Sequence, residues 1–157
     1  MAAAESTAVV PFFYRFFFQN VDPLIALWGA YLNLADPSAA VRASAPASTY
    51  DPRQVFLFHQ AGGLALAVAV LSALVPRRSR DLGVWRALQL ALLLSDFAGL
   101  SGIYHGLEVQ GRLRPGAWTA DDWALAGSYA LLTAVRALFL LGVGFGGAPA
   151  APATKAV

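Results

Sequence analysis

The chain has 157 residues, of which 58% are hydrophobic and 13% charged, and its mean hydropathy is +0.57. Soluble domains carry about 45–50% apolar and about 25% charged residues, and a small soluble fold leaves much of its surface in water. This composition therefore argues against a soluble enzyme, a disordered regulator and a nucleic-acid binder. The net charge of +2 comes with no long basic run, and the absence of cysteine removes disulfides, thiolate metal sites and a cysteine nucleophile.

Four apolar segments follow one another at about 11–34, 54–75, 85–106 and 122–145, each near the roughly 20 residues that span a bilayer as a helix. The expected fold class is all-α, an integral membrane four-helix bundle over 11–146. A leader over 1–10 precedes it and a low-complexity, disordered tail over 147–157 follows. The first segment opens at Pro11, a good first-turn residue, and is too long and too polar for a cleaved signal peptide. The loop ADPSAAVRASAPASTYDPR reads as irregular, and PRRSRDLGV as a short basic turn. The third loop holds Arg112 and Arg114, read as solvated with Glu108 and Asp121. Arg77, Arg78, Arg80 and Arg86 gather around the second loop, which places it and both termini in the cytosol by the positive-inside rule. Trp85 then suits the cytosolic interface, and Tyr50, Trp118 and Trp123 the luminal one.

Ionisable residues inside spans are costly, about 2.5–3.5 kcal/mol each on insertion scales, and mark function by default. Arg15, Gln19 and Asp22 share one helical face. Asp22 precedes Pro23, whose missing N–H should kink the helix and free a carbonyl. At 1.5 Å per residue Asp22 lies roughly 16 Å deep, and Asp96 in LLLSDFAGL lies at a similar depth. Asp122, Tyr129 and Arg136 stack at intervals of seven, with Thr133 between the last two. His59 and Gln60 stand ahead of Gly62 and Gly63, small enough for close helix approach. Tyr104 is turned ~80° from Asp96 around its helix, and His105 lies on nearly the opposite face. Arg15, about one turn inside, has the alternative of snorkelling to the interface.

Arg15 and Arg136 balance Asp22 and Asp96 in sign. One reading is an ion-pair network that fixes helix register. The other is a polar pocket in which one carboxyl, kept protonated, donates to an oxygen while its ionised partner orients water or a hydroxyl. That chemistry suits epoxide opening, or proton shifts on a lipophilic alkene. In this reading Asp22, Asp96, Arg15, Arg136 and His59 are catalytic, and Gln19, Gln60, Tyr104, Tyr129 and Trp28 bind substrate. No metal is expected, since His59 and His105 are isolated, and the usual metal, phosphate-loop and nucleophile motifs are missing. No cofactor is called for.

The segments PFFYRFFFQNVDPLIALWGAYL, FHQAGG, VWRALQLALLLSDFAGL and DDW…VRALFLLGVGFG resemble a family of small four-helix fungal membrane proteins built on a domain of unknown function. The resemblance runs over about residues 10–146. Its most specific pieces are Asp22-Pro23, Asp96 and the R-x-x-F-L-x-G-x-G end from Arg136 to Gly144. Some members accompany polyketide synthases and flavin monooxygenases in clusters for aurovertin- and citreoviridin-type polyenes. There they look like epoxide hydrolases or cyclases. The resemblance implies an enzyme of the endoplasmic-reticulum membrane that opens polyene epoxides in secondary metabolism. Its partners would be a lipophilic small molecule and the bilayer, with no nucleic acid, and homo-oligomers are allowed. The alternatives are a non-catalytic membrane scaffold and a sterol- or terpenoid-type isomerase. Trp28, the one span tryptophan in this reading, sits ~120° off the Asp22 face and argues mildly against the isomerase.

Overall fold

A computed structural model of the chain describes residues 10–145; the leader up to residue 9 and the expected tail lie outside them. The regular structure of the described residues is all helical, with no strand. A short helix α1 (Phe12–Phe16) runs through a π turn, Phe17–Val21, directly into α2 (Asp22–Ala35). Then come α3 (Pro37–Ser44), α4 (Val55–Arg78), α5 (Leu82–Val109) and α6 (Ala120–Leu140). Five helices of eight residues or more thus replace the expected four. The extra one, α3, lies in the loop read as irregular: Asp36 caps it by accepting from the Ala39 N–H at 2.9 Å, and Pro37 fills its first turn.

Three stretches are long and apolar enough to cross a membrane: Pro52–Arg78, Leu82–Val109 and Ala120–Leu140, with hydropathies of 1.8, 1.4 and 1.5. Only 17%, 17% and 22% of their apolar windows is buried, so most of that apolar surface faces outward. The first segment is helical over its expected length but interrupted. Pro23 cannot donate to the carbonyl four residues back, and the backbone answers with the wider π turn immediately ahead of it rather than with a helix break.

The helices pair antiparallel. Along α2 and α4, Asp22 meets Ser72, Gln19 meets the Pro76 carbonyl, and Gly62 closes on Asn33 and Leu34. A Cβ at Gly62 would come within 2.6 Å of Leu34 Cγ, so the glycine sets this approach. Along α5 and α6, Gln89 and Asp96 meet Arg136, and Gly99 receives the Tyr129 ring. Thr119 and Asp122 form a reciprocal capping box at the start of α6, and Asp81 caps α5. Gly111 and Gly142, at φ +68° and +76°, take the left-handed turns that stop α5 and α6.

An aromatic core fills one end of the bundle: Tyr14, Phe17, Phe18, Trp85 and Phe139 are buried together with Leu132 and Val135. Phe18 and Phe139 meet edge to face at 5.3 Å, and Tyr14 donates its hydroxyl to the Val143 carbonyl at 2.8 Å. Trp85, expected at the interface, is 3% exposed. Its indole N–H reaches back to the Ser79 carbonyl at 2.9 Å, which ties the α4–α5 turn onto the core.

Two outcomes follow from this packing. Phe139→Ala should cost about 3–5 kcal/mol through the cavity it leaves, seen as a lower unfolding midpoint in detergent, whereas Leu138→Ala, on an exposed side chain, should stay near wild type. At Asp36, the Ser38 hydroxyl and then the Ala39 N–H hold the carboxyl below its ordinary value of 3.8. Its capping contribution is therefore complete above the unfolded carboxylate pKa and lost as pH falls through the lowered one. A carboxyl titration by NMR should place the Asp36 midpoint below 3.8.

Candidate functional site

The long polar side chains of the spans converge where the two helix pairs meet. Arg136, on α6, is 2% exposed. Its Nη2 donates to Asp22 Oδ1 at 2.6 Å, its Nη1 to Asp96 Oδ2, and its Nε to Gln89 Oε1 at 3.3 Å. Asp22 is 1% exposed and accepts a second hydrogen bond, at 3.0 Å, from the Ser72 hydroxyl of α4. Asp96 is 6% exposed. One guanidinium thus joins α2, α5 and α6, and Asp22 carries the connection on to α4.

The placement follows from local sequence. Asp22 enters on the first turn of α2, where the π turn re-aims the helix. Gln89 and Asp96 are seven apart on α5, two turns of one face. Arg136 lies about one turn before the end of α6 at Leu140, but the packing around it leaves it buried, so it must satisfy its donors within the bundle.

The cluster carries two carboxylates and one guanidinium, so with both carboxylates ionised its formal charge is −1. In an apolar interior such an excess charge is costly, and a proton on one carboxyl removes it. Two polar atoms here lack a protein partner among the described residues: the Gln89 amide Nε2 and the Thr133 hydroxyl. Gln89 is fully buried, so its unpaired N–H groups lie inside the bundle.

Further along α5 and α6, these two helices and α3 line an open pocket of about 230 Å³ whose walls include none of the cluster's residues. Gly99, Gly102, Leu107, Leu125 and Tyr129 line it, with Ser44 and Asp122 among its polar walls. Tyr129 occupies the notch left by Gly99: a Cβ there would overlap the ring at 2.0 Å from Cε1. Gly99 lies one turn from Asp96, so the pocket approaches the acidic pair along α5.

Of the residues expected in the site, the structure unites Asp22, Asp96 and Arg136 and sets Tyr129 next to them. Gln19 is half-buried and donates instead to the Pro76 carbonyl at 3.2 Å. Arg15, His59, Gln60, Tyr104 and Trp28 are exposed and outside the cluster. Arg15 sits almost two turns before Asp22, at the end of the bundle, and His59 and Gln60 lie on an outward face of α4. His105 is exposed as well and faces Glu108 at 3.2 Å.

Gln89 and Ser72 were missed, since neither is ionisable; their helical spacing, Gln89 to Asp96, was the available signal. Asp122 is no part of the cluster either. It is 3% exposed and paired with Arg112, whose side chain is only 15% exposed. Arg112 is therefore not solvated as expected: it folds back from the α5–α6 loop onto the capping box, where Gln110 also accepts from it at 2.8 Å.

A family profile described as a domain of unknown function (DUF7704) matches residues 7–146. The chain belongs to this family. The matched span takes in every helix and every member of the buried cluster. No curated protein and no solved structure matches the chain.

Arg136→Met should leave two carboxylates buried without their counter-ion, at a cost of about 3–5 kcal/mol, and the folded peak in detergent size-exclusion chromatography should collapse. Adding Asp22→Asn and Asp96→Asn to the same chain should restore that peak.

Proposed function

We propose that this protein is a membrane-embedded acid–base catalyst that opens an epoxide of a lipophilic polyene. The single observation behind this reading is the pair Asp22 and Asp96 held by one guanidinium, with one proton needed to neutralise the three. Asp22 receives two donors, Arg136 and Ser72, and Asp96 receives Arg136 alone, so Asp22 is proposed as the base and Asp96 as the acid. In the proposed reaction the Asp96 carboxylic acid gives its proton to the epoxide oxygen as the C–O bond breaks. Water, or a hydroxyl of the same substrate, forms the new C–O bond and gives its proton to the Asp22 carboxylate. Water attack yields a diol and internal attack yields a cyclic ether. Transfer of the proton from Asp22 back to Asp96 completes the cycle. Arg136 holds both carboxylates at the level of the reacting atoms, and Gln89 Nε2 donates to a substrate oxygen.

Several features support the reading. The pocket along Gly99 and Gly102 comes within one turn of Asp96, and a substrate held in lipid would account for an enzyme built of apolar helices. The resemblance to fungal polyketide-cluster proteins makes a polyene epoxide the first substrate to test. It also suggests the endoplasmic-reticulum membrane and a four-span bundle, while the arginines around the second loop favour termini on the cytosolic side. The isomerase alternative is weakened by Trp28, which at 62% exposure does not face the acidic pair.

A second reading is favoured by the near-complete burial of Arg136 and Asp22: a non-catalytic scaffold whose ion pairs fix helix register. One experiment separates the two. Purified protein is incubated with a polyene epoxide, and Asp22→Asn and Asp96→Asn are compared as folded monodisperse samples. Catalysis predicts a loss of about 10²–10⁴-fold in turnover for each. Wild-type turnover per folded molecule in both variants would sink the catalytic assignment and leave the scaffold.

A further inference from the structure

The charges outside the central cluster are distributed unevenly between the two ends of the bundle. The antiparallel register of α2 and α4 pairs Asp22 with Ser72 and Gln19 with Pro76. Continued toward the N-terminus, it places Arg15 level with residues 79–80. Arg77 and Arg78 close α4, Arg80 lies in the turn, and Arg86 stands in the first turns of α5. Five arginines therefore crowd one end, all of them exposed.

Among the described residues their one acidic neighbour in sequence is Asp81, which caps α5 by accepting from Gly83 N–H at 2.7 Å and offsets one of the five positive charges. Among the described residues none of the five has a carboxylate within ion-pair distance. Arg77 finds only neutral partners, the Ala73 carbonyl and the Asn20 amide oxygen at 3.1 Å. The opposite end is different. There Arg42 pairs with Asp36 and Arg112 with Asp122, and Asp51, Glu108 and Asp121 offset Arg53 and Arg114.

Among the described residues this end keeps an excess of positive charge, and it borders an apolar shelf. Phe12, Phe13 and Phe16, on the same turns as Arg15, are 73%, 55% and 52% exposed. Guanidinium forks bind phosphate oxygens in pairs, and such a rim of arginine above exposed phenylalanine fits a molecule that is anionic at its head and apolar in its tail.

We propose that this end of the bundle is a binding site for anionic phospholipid, its phosphate held by Arg15, Arg77, Arg78 and Arg80 and its acyl chains laid against the phenylalanines. The lipid's headgroup lies at the level where α4 ends and α5 begins, which is where a bilayer containing these spans has its interface. The charge asymmetry selects the anionic lipid and the apolar shelf keeps it from exchanging as a free ion. Arg77 is the best-placed anchor, because Asn20 and the α4 carbonyl already hold its side chain across the α2–α4 seam.

The test titrates the full-length protein in detergent with phosphatidylserine or phosphatidylcholine and reads bound lipid by native mass spectrometry. Phosphatidylserine should bind the more tightly. Its affinity should fall about fivefold for each arginine removed in the series Arg77→Gln, Arg78→Gln and Arg80→Gln. The same three changes made to lysine should recover most of the binding, which separates a lost charge from a lost fold. The variant Arg42→Gln, Arg53→Gln, Arg114→Gln, at the other end, should bind as wild type. Equal affinity for the two lipids, or equal loss in the two variant sets, would overturn the proposal. Displacement of phosphatidylserine by inorganic phosphate would assign the site to a free anion instead of a lipid.

Discussion

A guanidinium cannot be carried into a bundle of apolar helices alone. Its desolvation is repaid only where counter-charges and acceptors meet its fork at good geometry, and Arg136 finds them on two other helices: Asp22 on α2, and Asp96 and Gln89 on α5. Ser72 then binds the far oxygen of Asp22 and brings α4 into the same network. Between helices in lipid, apolar contact offers little preference for one register over another, because the lipid is as apolar as the side chains. The polar network supplies that preference. Sliding α6 by one turn would strand Arg136 from both carboxylates at once.

Other details of the fold fit around this fixed point. The π turn ahead of Pro23 lets the first helix pass a residue that cannot donate and still deliver Asp22 to the interior. Small residues set the approach of each pair, Gly62 against Asn33 and Leu34, and Gly99 against Tyr129. The aromatic core around Phe139 closes the bundle at the basic end, and the Thr119–Asp122 capping box, with Arg112 paired to Asp122, secures the start of α6 at the other. The central cluster is thus held from both sides, with its acids, its arginine and Gln89 fixed before any ligand arrives. Such preorganisation is what a charge-handling site needs, and it serves a register lock equally well, which is why chemistry on folded variants has to decide between them.

The two polar regions divide the labour differently. The central cluster is dry, nearly balanced and dependent on all four long helical segments. The basic end is wet, unbalanced and built from exposed side chains that the fold could lose without unfolding.

Much of this was legible beforehand. Composition fixed an all-helical, membrane-compatible chain, since apolar runs near span length have few other ways to satisfy their backbone. Asp22, Asp96 and Arg136 stood out because a charge inside an apolar run demands a partner. The α3 helix was hidden by a loop composition that only the Asp36 cap and Pro37 turn into a helix, and the π turn by a proline that reads as a kink. Which arginine serves the two acids is a question of distance between helices, and sequence spacing carries no such information: Arg15 and Arg136 were both candidates, Arg15 with snorkelling as its alternative, and Arg15 ends in the exposed basic rim and Arg136 at the centre. His59, Gln60, Tyr104 and Trp28 were placed by the same reasoning and proved to face outward, because helical periodicity gives a face but not which neighbour meets it. The low charge content alone determined that a few buried charges must matter; only packing decided that one guanidinium answers two carboxylates, because ion pairing in an apolar interior is settled by ångströms rather than by sequence.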